Sequence, residues 1–233
     1  MMTTDEYMQA GVHIGMKQQT ANMRRFIYKV RQDGLAILNV AMIEERIKTT
    51  AKFLKNYERI MIVSRKLAGQ KPASKFGELT GAKINNGRFL PGTITNPAFP
   101  GYFEPQVIIV TDPLIDKQAV VEAVKQRIPI IALCDTFNET GAVDFVIPCN
   151  NKGRKSLAMI WWALAREVLK ERGVIKTDEE FTAKLEDFEA PEDTRERKPR
   201  EERGGRSMRD GMRGGRGGAR GGRSMRGQTR GRR

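Results

Sequence analysis

The chain has 233 residues, with 42 Lys and Arg against 28 Asp and Glu and a net charge of +14; this length suggests one ordinary domain with an extension, or two small ones. Fifteen basic and four acidic residues fall between Arg195 and Arg233, a net of +11, so only about +3 is left for residues 1–194. No run of about 18 apolar residues occurs, and Met1–Glu6 has no apolar leader, which argues against a bilayer span and a secretory signal and leads us to expect a cytoplasmic protein.

A chain this unevenly basic pairs with a polyanion, because each phosphate it neutralises releases condensed counterions. Nucleic acid is the first candidate and an anionic membrane surface the second. Cys134 and Cys149 sit in apolar stretches without CxxC spacing, so buried free thiols in a reducing compartment are expected.

In chain order, Leu35–Asn39 predicts a short strand. A helix follows, with Ile43, Ile47, Ala51 and Leu54 on one face and Glu44, Glu45, Lys48 and Lys52 elsewhere. Arg59–Ser64 is a continuous apolar run, the pattern of a strand buried on both faces. Within Lys66–Thr80 a helix is expected after Pro72, then a weak strand at Ala82–Asn85. Gly87–Phe103, rich in Gly and Pro, is a loop. Gln106–Thr111 and Pro129–Cys134 are two more buried strands, separated by a helix over Asp116–Gln126. Val143–Pro148 is a short strand, and Arg154–Arg172 a final helix with Leu157, Trp161, Leu164 and Val168 on its buried stripe.

Five alternations of strand and helix predict an α/β fold. Its central sheet is mostly parallel, of about five strands, with helices on both faces, in a flavodoxin- or Rossmann-like three-layer sandwich. We expect this domain over residues 1–175 and an acidic linker or extension over 176–194. Residues 195–233 hold no Phe, Tyr, Trp, Leu, Ile or Val and cannot bury enough apolar surface to offset ordering entropy, so a disordered Arg-Gly-rich tail is expected there.

An α/β sheet places ligands beyond the carboxyl ends of its strands, where Asp112 and Asp135 fall. Together they suggest a magnesium-dependent phosphotransfer site; the alternative, which we expect, is that they satisfy backbone donors as turn and cap residues. No GxxxxGK[ST] or GxGxxG accompanies them, and Asn151-Lys152-Gly153-Arg154 puts Arg154 where a guanine-binding NKxD needs aspartate. His13 is the only histidine, and without a visible partner it reads as a hydrogen-bonded structural residue rather than a general base. Of Trp161 and Trp162, the first is expected in the core; the second is exposed or packs on a neighbour. No catalytic residue, metal or cofactor is assigned.

The basic clusters point to phosphate instead. Lys17, Arg24, Arg25, Lys29 and Arg31 lie in a segment with little apolar pattern. Arg65 and Lys66, with Lys71 and Lys75, surround the end of the Arg59–Ser64 strand, and Arg88 opens the Gly/Pro-rich loop. Lys152, Arg154 and Lys155 sit at the start of the last helix, where free N–H groups already attract anions. In the tail, Arg203, Arg206, Arg213, Arg216, Arg220 and Arg223 lie among glycines and offer guanidinium groups to phosphate.

Several ordered motifs go further. They are Ala10-Gly11-Val12-His13-Ile14-Gly15, Gly34-Leu35-Ala36-Ile37-Leu38-Asn39 and Gly69-Gln70-Lys71-Pro72, then Gly87–Asn96 (GRFLPGTITN), Val110-Thr111-Asp112-Pro113, Ile128–Thr136 (IPIIALCDT) and Ile147–Gly153 (IPCNNKG). Tyr7–Arg172 thereby resembles the universal S-two family of small-subunit ribosomal proteins. The resemblance implies an α/β domain on the solvent side of the small subunit, in contact with ribosomal RNA and neighbouring ribosomal proteins, without a small-molecule substrate or a membrane. It also makes Asp112 and Asp135 part of the family's pattern. Bacterial members carry a long helical hairpin after the segment matching Thr93–Asn96; here only Pro97–Glu104 intervenes, which resembles the archaeal and eukaryotic branch. The aromatic-containing acidic extension of eukaryotic members, which include a laminin receptor precursor, is not matched by this tail, so an archaeal-type protein is expected and laminin binding is not carried over.

Overall fold

The computed structural model describes residues 4–176 and 180–191. A short helix α1 (Thr4–Gln9) leads into a two-stranded antiparallel ribbon, β1 (Ile27–Val30) and β2 (Ala36–Leu38). Five further strands form one parallel sheet: β3 (Ile60–Ser64), β4 (Lys83–Asn86), β5 (Val107–Val110), β6 (Ile130–Cys134) and β7 (Phe145–Pro148). Their order is β4-β3-β5-β6-β7. Every residue of β3, β5 and β6 is buried, as their unbroken apolar runs require of strands covered on both faces.

Helices α2 (Val40–Leu54), α3 (Leu67–Thr80) and α5 (Arg154–Glu171) pack on one another as one layer, whereas α4 (Lys117–Gln126) packs against β5 and β6. The α/β sandwich expected from the alternation is therefore present. Asn39 caps α2, its Oδ1 accepting the Ala41 N–H at 3.1 Å, and Ile43, Ile47, Ala51 and Leu54 are buried at helical spacing. Trp161 is fully buried edge-on to Phe76 at 5.1 Å. Burial of each such large side chain contributes roughly 1.5–3 kcal/mol.

Three elements differ from the sequence reading. The strand at Leu35–Asn39 exists but stands outside the main sheet, paired with β1 on one side and bridged through Ile37 to Ile14 on the other. Residues 17–31, weakly patterned in sequence, contain β1 and bury Met23 and Phe26; a four-residue strand exposed on both faces has no alternation to show. Helix α3 starts at Leu67, ahead of Pro72. A proline one turn into a helix forfeits a single backbone hydrogen bond, and the buried ring packs in the same stripe as Ala73 and Phe76.

Beyond α5, Trp162 stacks edge-on with Phe181 at 5.3 Å and donates its indole N–H to the Ala183 carbonyl at 2.8 Å. A last short helix α6 (Leu185–Phe188) buries Phe188 and contacts α3 and α5. The described residues after α5 are thus held by aromatic packing and belong to the same compact unit, which runs to Glu192.

Candidate nucleic-acid interface

The chain leaves β3 toward β4 on one side and β5 toward β6 on the other. The sheet's switch point, where doubly wound proteins open a ligand crevice, therefore lies between the carboxyl ends of β3 and β5. Here that crevice is filled by the protein itself. Lys66, two residues after β3, places its ammonium 2.7 Å from Asp112 Oδ2, 2.7 Å from the Asn151 carbonyl and 3.1 Å from Asn151 Oδ1. Asp112 is 1 % exposed, and its Oδ1 accepts from Asn138 Nδ2 and the Leu114 N–H, each at 3.0 Å. Asn151 in turn donates to the Leu133 carbonyl at 3.1 Å and to Asn138 Oδ1 at 3.0 Å.

The second aspartate has a different task. Asp135 accepts from the Thr136 N–H, and Thr136 Oγ1 holds the N-terminal segment by accepting the Met16 N–H at 2.9 Å and donating to the Gln18 carbonyl at 3.0 Å. Asp116 accepts the Arg65 and Asp112 N–H groups at 3.1 and 3.3 Å. Burial pushes its carboxyl up to about 7, against the opposing pull of those two hydrogen bonds, and burial likewise raises Asp135. The two aspartates are turn and cap residues within a closed polar network, as expected. Among the described residues no cluster of His, Cys, Asp and Glu has the makings of a metal site.

His13 departs from expectation in one respect: its Nδ1 is buried without a hydrogen-bond partner, and burial lowers its pKa while the Tyr7 carbonyl raises it. Cys134 and Cys149 are free and buried, and burial pushes both thiols up.

The fold sorts the basic residues into two groups. Arg65, Arg88 and Lys152 follow the carboxyl ends of β3, β4 and β7, and all three are exposed. Lys71 lies exposed on the N-terminal half of α3 and Lys155 on the first turn of α5. Arg65 and Arg88 line one cleft of about 190 Å³ with Phe89 and Ile115. Lys152 lies over the Phe137 ring at 4.4 Å with its ammonium 3.1 Å from Met16 Sδ, so the exposed Lys17 is in the same neighbourhood. Arg154 is half-buried and reaches toward the Ala190 carbonyl at 3.5 Å. Arg24, Arg25, Lys29 and Arg31 form a separate exposed set around the ribbon, with Arg25 over the Phe26 ring at 4.9 Å. Of the charges grouped with Arg65 in sequence, Lys66 is turned inward and Lys75 is held by Glu78 at 2.7 Å. Arg203, Arg206, Arg213, Arg216, Arg220 and Arg223 lie outside the described residues.

Asn138 and Glu122 were not singled out in the sequence, and Asn151 and Asp116 stood there only within motifs and at a helix start. Glu122 of α4 anchors the Gly87–Phe103 loop, accepting the Gly92 N–H at 3.0 Å and the Thr95 hydroxyl at 3.3 Å. One signal was available: Lys66 and Asp112 each stand two residues after a fully buried strand.

The sequence matches the family described as ribosomal protein S2 over residues 7–99 and 102–171. The chain belongs to the ribosomal protein S2 family. It is also 52 % identical over 194 residues to the small ribosomal subunit protein uS2 of the archaeon Ignicoccus hospitalis, covering 81 % of this chain and 92 % of that protein. The archaeal-type resemblance read from the motifs is thus shown. As a member of the S2 family, the chain has a structural role in the small subunit of the cytoplasmic ribosome and is not an enzyme. That place entails ribosomal RNA and other ribosomal proteins as partners. Among the described residues no helix is long and apolar enough to cross a membrane.

Proposed function

We propose that the S2 domain, residues 1–175, docks on small-subunit RNA through the carboxyl end of its sheet and through the basic ribbon. In this reading Arg65, Lys71, Arg88, Lys152, Arg154, Lys155 and Lys17 contact phosphate at the first surface, and Arg24, Arg25, Lys29 and Arg31 at the second. The Arg-Gly tail adds contacts that read charge and not sequence. The observation that carries the proposal is the exposure of Arg65, Arg88 and Lys152 around a switch point whose interior is sealed by Lys66 and Asp112. A switch point filled by its own ion pair and ringed by exposed cations suits an extended polyanion.

Sedimentation of cell extract on a sucrose gradient tests it. The full chain should comigrate with small subunits, and the triple variant Arg65→Met, Arg88→Met, Lys152→Met should shift toward the top of the gradient while keeping its unfolding midpoint. Undiminished comigration of that variant would assign docking to another face.

A further inference from the structure

A second recess lies away from the sheet end. Helix α1, the ribbon and the start of α2 enclose a cleft of about 590 Å³, lined among others by Tyr7, His13, Tyr28, Lys29, Arg31 and Asn39. Its volume falls within the roughly 300–1,000 Å³ of cavities that hold a nucleotide-sized ligand. Tyr28 stands on its rim 69 % exposed, a large aromatic surface mostly open to solvent. The Lys29 ammonium is 6.0 Å from the Tyr28 ring centroid. Arg31 reaches only Asp33, at 3.6 Å, with both side chains about half in solvent, so its charge is available at little cost. The acid on the rim, Glu44, is matched by Lys48 at 3.0 Å. Cations therefore prevail around an aromatic plate.

We infer that this cleft takes a single unstacked nucleotide of RNA, its base against the Tyr28 ring and its flanking phosphates on Lys29 and Arg31. The inference rests on the RNA reading above and adds a base-contacting site to it. Unpaired bases are recognised by stacking on aromatic side chains beside cationic groups, and these residues supply that combination on one rim. Burial keeps the His13 ring below its ordinary pKa, so the cleft wall is neutral and suits a base better than a phosphate. The free edge of β1 also suggests addition of a strand from a protein neighbour. The break in register between Ile27 and Lys29 counts against it, because a bulge twists an edge away from further pairing.

The test uses the full chain and a single-stranded RNA of about six nucleotides, with an abasic phosphodiester of equal charge as the comparison, at about 0.2 M salt to screen the tail. The tail is the same in every chain tested, so its contribution to either probe cancels between the unmodified chain and the Tyr28 variants. The base-bearing RNA should bind about 5- to 100-fold more tightly than the abasic probe, as stacking of one base provides. Tyr28→Ala should abolish that difference and Tyr28→Phe should preserve it; the exposure of Tyr28 leaves the core intact in both. Equal binding of the two probes by the unmodified chain, or a preference that survives in Tyr28→Ala, would overturn the inference. So would a Tyr28→Ala chain that keeps the preference but no longer comigrates with small subunits, which would assign the cleft to a protein segment. The docking of Arg65, Arg88 and Lys152 is read separately by their triple variant, so either idea can fail alone.

Discussion

Lys66 and Arg65 are neighbours of like charge with opposite duties. Lys66 is 16 % exposed in its side chain and neutralises the buried Asp112, whereas Arg65 is exposed and only its backbone enters the network. Removing one partner of a buried ion pair leaves an uncompensated charge, so Lys66→Met should cost about 3–5 kcal/mol in urea unfolding. Arg65→Met should stay within about 0.5 kcal/mol of the parent and lower RNA affinity instead. Asp116 adds a pH signature. Its folded pKa of about 7 lies above the ordinary 3.8, so between those values the folded chain binds more proton than the unfolded one. Its contribution is fully present below about pH 4 and is lost as pH rises through 7, by up to about 4 kcal/mol. Asp116→Asn should remove that slope, read as a difference in urea midpoint between the two chains across pH 4–7.5. Parallel curves would show that Asp116 ionises freely in the fold.

At the scale of elements, Gly69 is a point where α3 meets the sheet with no room for a side chain. A Cβ there would come 2.7 Å from Ser64 Oγ and 2.8 Å from Thr111 Cγ2, both on fully buried residues. Alanine is the better helix former by nearly 1 kcal/mol, yet overpacking a core costs about 1–3 kcal/mol. Gly69→Ala should therefore lower the thermal midpoint despite its propensity gain, and would move Lys66, one turn earlier, off Asp112. A Cβ on Gly77 would likewise come 2.5 Å from Ile84 Cδ1 and 3.0 Å from the Ala82 carbonyl. Both glycines sit on the α3 face that also buries Ala73 and Phe76, which is why a helix containing two glycines and a proline persists.

For the whole molecule the charge distribution sets the salt dependence. Each phosphate contact gives a log–log slope of about −0.7 to −0.9 against salt concentration. Deleting 195–233, which removes a net +11, should flatten the slope for RNA binding by several such contacts while comigration with small subunits persists. Loss of comigration on that deletion would place the anchor in the tail. Subtracting the tail leaves a nearly neutral domain, so its docking depends on where a few cations stand more than on their number.

Run length and period were enough to identify β3, β5 and β6, because a strand buried on both faces must be apolar at every position; α2 was legible because it buries one stripe, whereas α5 buries nearly its whole circumference between Ser156 and Leu169 and its period marked only part of that. The family resemblance was legible too, since its motifs fall at the turns and strand ends that the topology constrains. Element β1 was not, because four residues exposed on both faces leave no pattern to read. Nor could composition separate Lys66 from Arg65, Lys71 or Lys75: whether a lysine faces solvent or a carboxylate 46 residues away depends on which strands become neighbours. Strand order is a property of the assembled sheet, and only that order brings Lys66, Asp112, Asn138 and Asn151 together, closes the crevice, and leaves Arg65, Arg88 and Lys152 outside it.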